Sequence, residues 1–557
     1  MFGSLASPLD SFFRSSPLRH ARFRLFYLGT VGSALGYTMQ ATVAAWLMAT
    51  LTPSALMVAL VQTASTAPSL LFGLIAGSLA DIVDRRRVIL ITQIVLFALT
   101  LLLGLATVAG LVGPVMLLVF TFLIGVGFTF YLPAQQASVN DLVARADLNR
   151  AVALGAIGFN LARAAGPALA GAVAAWLGTG NALIASACFF AVMLVTVTRW
   201  KDSSSAIPGV RETLLGGVRS GLRYARHSDL MRALLIHNLT FSVSASALWA
   251  LLPVIARDQL ALGAGGFGLL SGAFGAGAVI GALTIPRQLQ RLSLNSVVTA
   301  AVLLWVAAAS LIAWSHLVAL SLIGMMGAGA AWVGVFASLS AGIQSAAPAW
   351  VRARAVAMSL VAVQGTLALG SAAWGWLASV SSIRIAMLAS AGVMALLLLV
   401  NRRVTVRLGD EADVTPGAQL PDMGITVPPR PDDGPVLIQI EYRIPPANRQ
   451  AFATAIHAVE PVRRRNGADD WRAFRDLSEP DRFVERYIIT SWAEYERLRS
   501  RMTIAERDFL DKVAELHQPD IPIKVSRFIG LNPHEAGELR GELESDDAEL
   551  PHGSRKQ

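Results

Sequence analysis

Four polar side chains interrupt long apolar stretches of the sequence, where a charge or an amide is costly without a partner. These residues are Gln40, Asn160, Arg163 and Gln364. Arg163 follows Asn149, where its apolar stretch begins, by about 14 residues (163 − 149). At a helical rise of about 1.5 Å per residue, that distance predicts a position near the middle of a bilayer. The four residues are therefore candidates to bind a substrate, and Arg163 would favour anionic or polyphenolic ligands over cations.

The same residues admit a purely structural interpretation. Arg163 would then be satisfied by helix carbonyls, by Asn160 and by other polar groups between helices, and each amide would form a helix–helix hydrogen bond. The sequence leaves both interpretations open.

Few other residues offer chemistry. The single cysteine, Cys188, excludes disulfides and any cysteine-based zinc or iron–sulfur site. Near the C-terminus, the side chains of His457, Trp471, Trp492 and His517 show no metal-ligand or catalytic-triad spacing. We therefore predict no catalytic residues, no metal and no cofactor, and hence no enzyme.

No Asp or Glu lies well inside an apolar stretch, so the sequence offers no acidic side chain for proton coupling within the spans.

Composition points to a membrane protein. Only 15% of the 557 residues are charged, 47 are glycine, and the mean hydropathy is +0.55. The net charge of +9 comes from residues placed between apolar runs rather than clustered in a groove. Nucleic-acid binding is therefore excluded.

Twelve apolar runs are long enough to cross a bilayer as helices. They lie near residues 24–49, 54–80, 88–109, 112–133, 149–176, 178–199, 231–256, 263–285, 294–314, 316–342, 353–378 and 380–401. Arginine and lysine concentrate in alternate connections, and only Arg257 and Arg384 depart from this alternation. Because positive loops stay in the cytoplasm, we expect a multi-pass protein of the bacterial inner membrane with both termini cytoplasmic.

The apolar region repeats itself at an offset of 204 residues (277 − 73). Arg150-Ala151-Val152-Ala153 aligns with Arg354-Ala355-Val356-Ala357, and Asn160 aligns with Gln364. We predict a cytoplasmic segment over 1–23, six-helix bundles over 24–200 and 231–403, and a central cytoplasmic loop over 201–230 between them. Two parallel six-span repeats are how one major class of transporters is built.

The connection between the second and third spans carries a recognisable motif. Gly77-Ser78-Leu79-Ala80-Asp81, followed by Asp84-Arg85-Arg86-Arg87, resembles the signature of the major facilitator superfamily, with Asp84 in place of a glycine. The resemblance implies an alternating-access transporter. It also implies that Gly77, Asp81, Arg85, Arg86 and Arg87 form a conformational latch that braces the two bundles. The alternative is a basic loop anchored at the membrane surface.

A second motif narrows the resemblance. Gly166-Pro167, with Gly171 after it, is similar to a helix-packing element of drug and siderophore exporters, and Leu132-Pro133-Ala134-Gln135-Gln136-Ala137 resembles the enterobactin-exporter branch. This resemblance implies export of small drug- or siderophore-like molecules, driven by protons. An importer of the same fold remains an alternative.

The composition changes after Arg407. Residues 404–433 are rich in Pro, Asp and Gly, which predicts a linker. Residues 434–530 alternate as β-α-β-β-α-β, which predicts a cytoplasmic α+β ferredoxin-like domain, and 531–557 are expected to be disordered. The domain resembles dimeric α/β-barrel domains related to antibiotic-biosynthesis monooxygenases. That resemblance implies regulation or a homodimer through this domain; a membrane-anchored enzyme or sensor acting through it is the alternative.

Overall fold

The computed structural model describes residues 16–144, 147–199, 214–415, 417 and 429–530. The predicted N-terminal segment up to residue 15, residue 200, the central-loop residues 201–213, residues 416 and 418–428 of the predicted linker, and the predicted disordered tail lie outside the described residues. The described part divides into two compact units. The first contains the described residues up to Leu215, Ala233–Gln344 and Val356–Leu408. The second contains Gly216–Arg232, Ser345–Ala355 and the described residues from Gly409 onward.

Twelve long helices correspond one to one to the predicted spans. The first bundle contains α1 (Ala21–Leu51), α2 (Ala55–Ile82), α3 (Arg85–Val108), α4 (Pro114–Leu142), α5 (Leu148–Leu177) and α6 (Thr179–Thr198). After a connector helix, α7 (Leu214–His227), the second bundle contains α8 (Asp229–Val254), α9 (Ala264–Leu289), α10 (Leu294–Trp314), α11 (Val318–Ala346), α12 (Ala349–Val380) and α13 (Ile383–Asn401).

Eleven of the described helices are long and apolar enough to cross a membrane. The helix α1 is not among them, although it has 31 residues, because glycine, threonine, serine and glutamine interrupt its apolar sequence. The helix α4 extends to Leu142, beyond the predicted end at 133, and contains Pro133 in its interior. Prolines are tolerated in membrane helices because neighbouring groups satisfy the freed carbonyls.

Local capping explains several helix starts. The hydroxyl of Ser54 accepts a hydrogen bond from the Met57 amide at the start of α2. The Asp84 carboxylate accepts one from the Arg86 amide at 2.8 Å and so caps α3. Asp84 has a φ of −53°, so the backbone here needs no glycine. This cap explains why Asp84 can stand where the major facilitator signature has glycine.

Contacts related by the sequence repeat confirm the two six-helix bundles. A Cβ added at Gly166 in α5 would lie 2.1 Å from the Thr38 hydroxyl in α1, and one added at Gly370 in α12 would lie 2.3 Å from the Ser246 hydroxyl in α8. These two glycines are separated by 204 residues (370 − 166). The same close helix crossing is therefore built twice.

The two bundles meet along a first pair of helices, α5 and α9. A Cβ added at Gly171 would lie 2.5 Å from the Gly268 Cα, and one added at Gly275 would lie 2.5 Å from the Ala164 Cα. Backbones this close allow only small residues, which is the packing that membrane helices use in place of a hydrophobic driving force.

A second pair, α2 and α12, repeats this contact. A Cβ added at Gly375 would lie 2.3 Å from the Ala59 Cβ, and one at Gly365 would lie 2.8 Å from the Leu70 side chain. The Thr63 hydroxyl donates a hydrogen bond to the Ala368 carbonyl at 2.9 Å. Both bundle–bundle seams therefore consist of small side chains and few hydrogen bonds.

The second compact unit contains a four-stranded antiparallel sheet of β1 (Val436–Arg443), β2 (Asp469–Arg475), β3 (Arg482–Ile489) and β4 (Lys524–Ile529), in the order β2-β3-β1-β4. After a short helix α14 (Glu411–Val414), the remaining helices are α15 (Arg449–Asn466), α16 (Trp492–Arg501) and α17 (Ile504–Glu515). Strands and helices follow one another in the predicted order, with the second helical segment split between α16 and α17. We call residues 434–530 the tail domain.

A buried polar network organises the tail domain. The Glu485 carboxylate accepts hydrogen bonds from Tyr442 at 3.0 Å, from Arg463 at 2.9 and 3.3 Å, and from Trp471 at 2.9 Å. Burial, reinforced by the Glu485 carboxylate, raises the pKa of Tyr442 well above its usual value, so this hydroxyl stays a donor. Every lone pair of a buried carboxylate needs such a partner.

Part of the predicted linker packs on this domain. The Ile504 amide donates to the Thr415 carbonyl at 3.0 Å, and the Gly417 amide donates to the Met502 carbonyl at 2.8 Å. The Pro, Asp and Gly content of residues 404–433 predicts a linker. Backbone groups in such a segment can still form hydrogen bonds, whatever its side chains are.

Replacing Gly171 should loosen the α5–α9 contact. A leucine side chain at position 171 would overlap the Gly268 backbone, so we expect Gly171→Leu to cost about 1–3 kcal/mol, as overpacking does. The thermal unfolding midpoint of the detergent-solubilised protein would fall. Gly392→Leu is the matched control, because a Cβ there meets nothing within 4 Å. An equal midpoint for both variants would contradict the assigned contact.

Removing Glu485 should destabilise the tail domain strongly. Glu485→Ala leaves the buried Arg463 guanidinium unpaired, which costs about 3–5 kcal/mol. Glu460→Ala removes the partner of Arg464 in a pair whose side chains are 34% and 32% exposed, so about 0–1 kcal/mol is expected. Protease cleavage of the tail domain, followed against temperature, compares the two; similar cleavage would refute the central role of Glu485.

Candidate functional site

Arg163 lies in the middle of α5, where the two bundles meet. Its side chain is exposed, and its guanidinium carbon lies 5.7 Å from the ring centroid of Trp332 in α11 of the second bundle. Its neighbour Ala164 contacts Gly275 in α9. Arg163 is thus an exposed charge in mid-helix that contacts the opposite bundle.

Trp332 belongs to an aromatic cluster in the second bundle, formed by Phe241 and Trp249 of α8, Phe274 of α9, Trp305 of α10, and Trp332 and Phe336 of α11. Ring centroids are 4.5 Å apart for Trp332–Phe336 and 4.7 Å for Trp249–Phe274. The indole nitrogen of Trp249 is buried without a hydrogen-bond partner. A cation beside π faces is attracted electrostatically, so Arg163 is stabilised beside this cluster. Four of the cluster's rings are buried, and those of Trp249 and Phe336 are half-buried.

Trp332 was not predicted from the sequence. Aromatic residues in apolar stretches are usually packing residues, and nothing in the local sequence distinguishes this tryptophan. Its role depends on how α5 and α11 are rotated about their axes.

The three predicted amide residues occupy different environments. Gln40 in α1 is 1% exposed, and its Nε2 atom has no hydrogen-bond partner. Asn160 is exposed one turn before Arg163, and its amide donates to the Ala156 carbonyl at 2.9 Å. Gln364 is half-buried in α12. Asn160 and Arg163 share a helix face, whereas no contact within the described part of the chain joins either residue to Gln40 or Gln364.

The predicted latch residues lie at the end of the bundles that carries the arginine-rich connections, which we call the basic end. Arg85 forms an ion pair with Asp141 of α4 at 2.9 Å and donates to the Ala137 carbonyl at 3.2 Å. Arg86 donates to the Val197 carbonyl at the C-terminus of α6 at 3.2 Å, where the helix dipole favours a cation. These contacts hold helices of the first bundle together.

The other latch residues are less constrained. The closest approach of Arg87 to the Asp84 carboxylate is 3.9 Å, and a Cβ at Gly77 would meet open space. The side chain of Asp81 lies outside the described residues.

The Gly-Pro motif fixes the position of α5. Gly166 lies against Thr38 of α1, Gly171 lies against Gly268 of α9, and Pro167 is inside the helix between them. The Thr38 hydroxyl also donates to the Ala162 carbonyl at 3.1 Å. Arg163 therefore lies in a segment of α5 that contacts α1 of the first bundle and α9 of the second.

Arg257, which departs from the charge alternation, ties the bundles at the end opposite the basic end. It follows α8, and its guanidinium donates to the Thr52 carbonyl at 2.8 Å and to the Ala49 carbonyl, both at the C-terminus of α1. Nearby, Trp46 of α1 stacks on Phe267 of α9 with centroids 5.6 Å apart. The C-terminal carbonyls of a helix favour a cation. This explains why Arg257 departs from the charge alternation of the connections.

Within the described ranges, no group of His, Cys, Asp or Glu could hold a metal ion.

Two curated proteins resemble part of the chain. A multidrug efflux pump, Tap, of Mycolicibacterium fortuitum is 29% identical over 224 residues, which cover 39% of this chain and 54% of the pump. The Staphyloferrin A transporter of Staphylococcus aureus is 25% identical over 248 residues, which cover 44% of this chain and 62% of that transporter. The chain therefore spans less than two thirds of either relative.

Solved structures share the fold at low identity. The nucleoside transporter NupG superposes with a TM-score of 0.56 at 15% identity, covering 69% of this chain and 98% of that one. A bacterial homologue of the human lysosomal transporter Spinster, in an inward-facing and unoccupied conformation, gives a TM-score of 0.56 at 14% identity and covers 70% and 98%.

The family profile described as transmembrane secretion effector matches residues 13–535, nearly the whole chain. Together with the two six-helix bundles, this match shows that the chain belongs to the transmembrane secretion effector family of major facilitator transporters.

Proposed function

We propose that the protein is a secondary active exporter that moves drug- or siderophore-like small molecules across the bacterial inner membrane by alternating access. The observation that carries this proposal is Arg163, an exposed charge in mid-helix that reaches Trp332 of the opposite bundle. Transporter sites of this kind lie near the bilayer midplane at the interface between repeats. The efflux and siderophore functions named for the two curated relatives support the direction and the substrate type.

The substrate proposed for this site is an aromatic or polyphenolic anion. Arg163 offers several N–H donors to a carboxylate or phenolate oxygen. The two half-buried rings of the cluster, Trp249 and Phe336, are proposed to offer π faces against which a planar ring can stack. We propose that Gln40, Asn160 and Gln364 also contact the substrate when the bundles close around it.

The energy source is proposed to be the proton gradient, as the family resemblance implies, and both termini are proposed to be cytoplasmic. In this orientation the basic end faces the cytoplasm, in agreement with the arginine-rich connections. The closing contact at the basic end is proposed to involve Gly77, Asp81 and Arg85–Arg87, with Asp81 meeting the N-terminus of a helix of the second bundle.

The tail domain is proposed to form a homodimer through the sheet face that α15 and α17 leave uncovered. That face carries Phe474 and Phe528, whose side chains are exposed.

Replacing Arg163 should abolish transport without affecting the fold. Loss of a charge-assisted hydrogen bond costs about 1.5–3 kcal/mol, so we expect Arg163→Ala to slow export of a fluorescent catecholate by about 10-fold or more. Arg163→Lys keeps the charge and should retain part of the activity. Both variants should reach the membrane in normal amounts; unchanged export by Arg163→Ala would refute the proposed site.

Replacing Asp81 tests the latch separately from the binding site. Asp81→Ala should lower the maximal export rate several-fold and leave the binding of the catecholate unchanged, because Asp81 is at the C-terminal end of α2 whereas Arg163 is in the middle of α5. Asp229→Asn is the control, since Asp229 is at the start of α8 and its side chain is 91% exposed. Equal export rates for the two variants would show that Asp81 is not part of a latch and that the basic surface loop is the correct interpretation.

A further inference from the structure

The tail domain presents a surface that is built around Glu494 in α16. Its carboxylate accepts hydrogen bonds from Arg223 of the connector helix α7 at 3.1 Å, from Arg501 at 2.8 Å and from Arg497 at 2.9 Å. The side chains of Glu494 and Arg223 are each 12% exposed. We call this the Glu494 surface; it joins the tail domain to a segment more than 200 residues earlier in the chain.

Aromatic contacts extend the same surface to the first turns of α12. The guanidinium of Arg501 lies 4.2 Å from the ring centroid of Trp350, and Trp350 packs edge-on against Tyr224 of α7 with centroids 5.8 Å apart. The Tyr224 hydroxyl donates to the Ala346 carbonyl at 3.2 Å. Three separate segments, 223–224, 346–350 and 494–501, therefore meet at one place within the second compact unit.

The backbone of the tail domain is shaped for this contact. A Cβ added at Gly467 would lie 3.2 Å from both the Arg223 guanidinium and the Glu494 carboxylate, and Gly467 has a φ of +133°, a conformation that favours glycine. The Gly409 amide donates to the Ser345 hydroxyl at 2.9 Å, so the chain that leads to the tail domain is held at the same segment.

The contacts of Glu494 show that the tail domain packs specifically against these segments and is not merely connected to them by the chain. A nearly buried ion pair loses hydration on both sides, which only good geometry and further hydrogen bonds offset. Burial raises the pKa of Glu494, but the Arg501 and Arg497 guanidiniums outweigh it and hold this pKa below its usual value. The carboxylate is therefore ionised at neutral pH and needs its arginine partners.

We propose that the Glu494 surface docks the connector helix and the first turns of α12, and that this docking restrains the transport cycle in the conformation described here. The helix α12 begins inside the second unit, at Ala349–Ala355, and continues into the first unit. There it forms the seam with α2, through Ala368 and Thr63. The inference rests on alternating access, since a restraint on α12 acts only if the seam opens.

A cysteine at the seam can report its opening without any substrate. In a Cys188→Ala background, Thr63→Cys places a thiol where the half-buried Thr63 hydroxyl now bonds Ala368, so separation of the bundles should raise the rate of maleimide labelling. We expect Glu494→Gln to raise the labelling rate at least threefold in the full-length protein. Glu515→Gln, which changes an exposed glutamate of the same domain, should leave the labelling rate unchanged.

Arg223→Gln provides a second route to the same test. It breaks the pair from the connector side and leaves the tail domain intact, so it decides the question if Glu494→Gln aggregates. Faster labelling in Arg223→Gln supports the docking restraint. Labelling at the wild-type rate in every folded variant of the pair would overturn it, whether or not the protein exports the catecholate.

Discussion

The close approach of the two bundles along small residues is the constraint on which the rest of the structure depends. Where Gly171 meets Gly268, and Gly275 meets Ala164, no side chain separates the backbones. Such seams gain van der Waals contact without interlocking. Bundles joined in this way can separate and rejoin at low cost, as alternating access requires. The polar ties between the bundles are local: Arg257 donates to two carbonyls at the C-terminus of α1, and Thr63 donates to the Ala368 carbonyl.

The position of Arg163 follows from this constraint. The helix α5 is fixed against α1 through Gly166 and against α9 through Gly171, and Arg163 lies less than one turn before Gly166. An arginine in mid-membrane is tolerated where its guanidinium has a polar or aromatic neighbour, and Trp332 provides one. The site is therefore held by the same residues that join the bundles.

Hydropathy was sufficient to predict twelve helices, because each span is a local property of about twenty residues. The repeat was also visible, since Asn160 and Gln364 keep their offset in α5 and α12. Tertiary pairings were not predictable: the partners of Arg163 and Arg257 depend on helix rotation and on which helices adjoin. Two local features were not predictable from composition: α4 continues through Pro133, and Thr415 and Gly417 form backbone hydrogen bonds with the tail domain.

The central claim is that the two bundles move a substrate past Arg163 at the expense of a proton gradient. Purified protein in liposomes with an acidic lumen tests it most directly, with a fluorescent catecholate added outside. The account predicts accumulation of the catecholate in the lumen as protons leave, and collapse of that accumulation when a protonophore is added. No accumulation above protein-free liposomes, with the protein correctly folded and inserted, would contradict it.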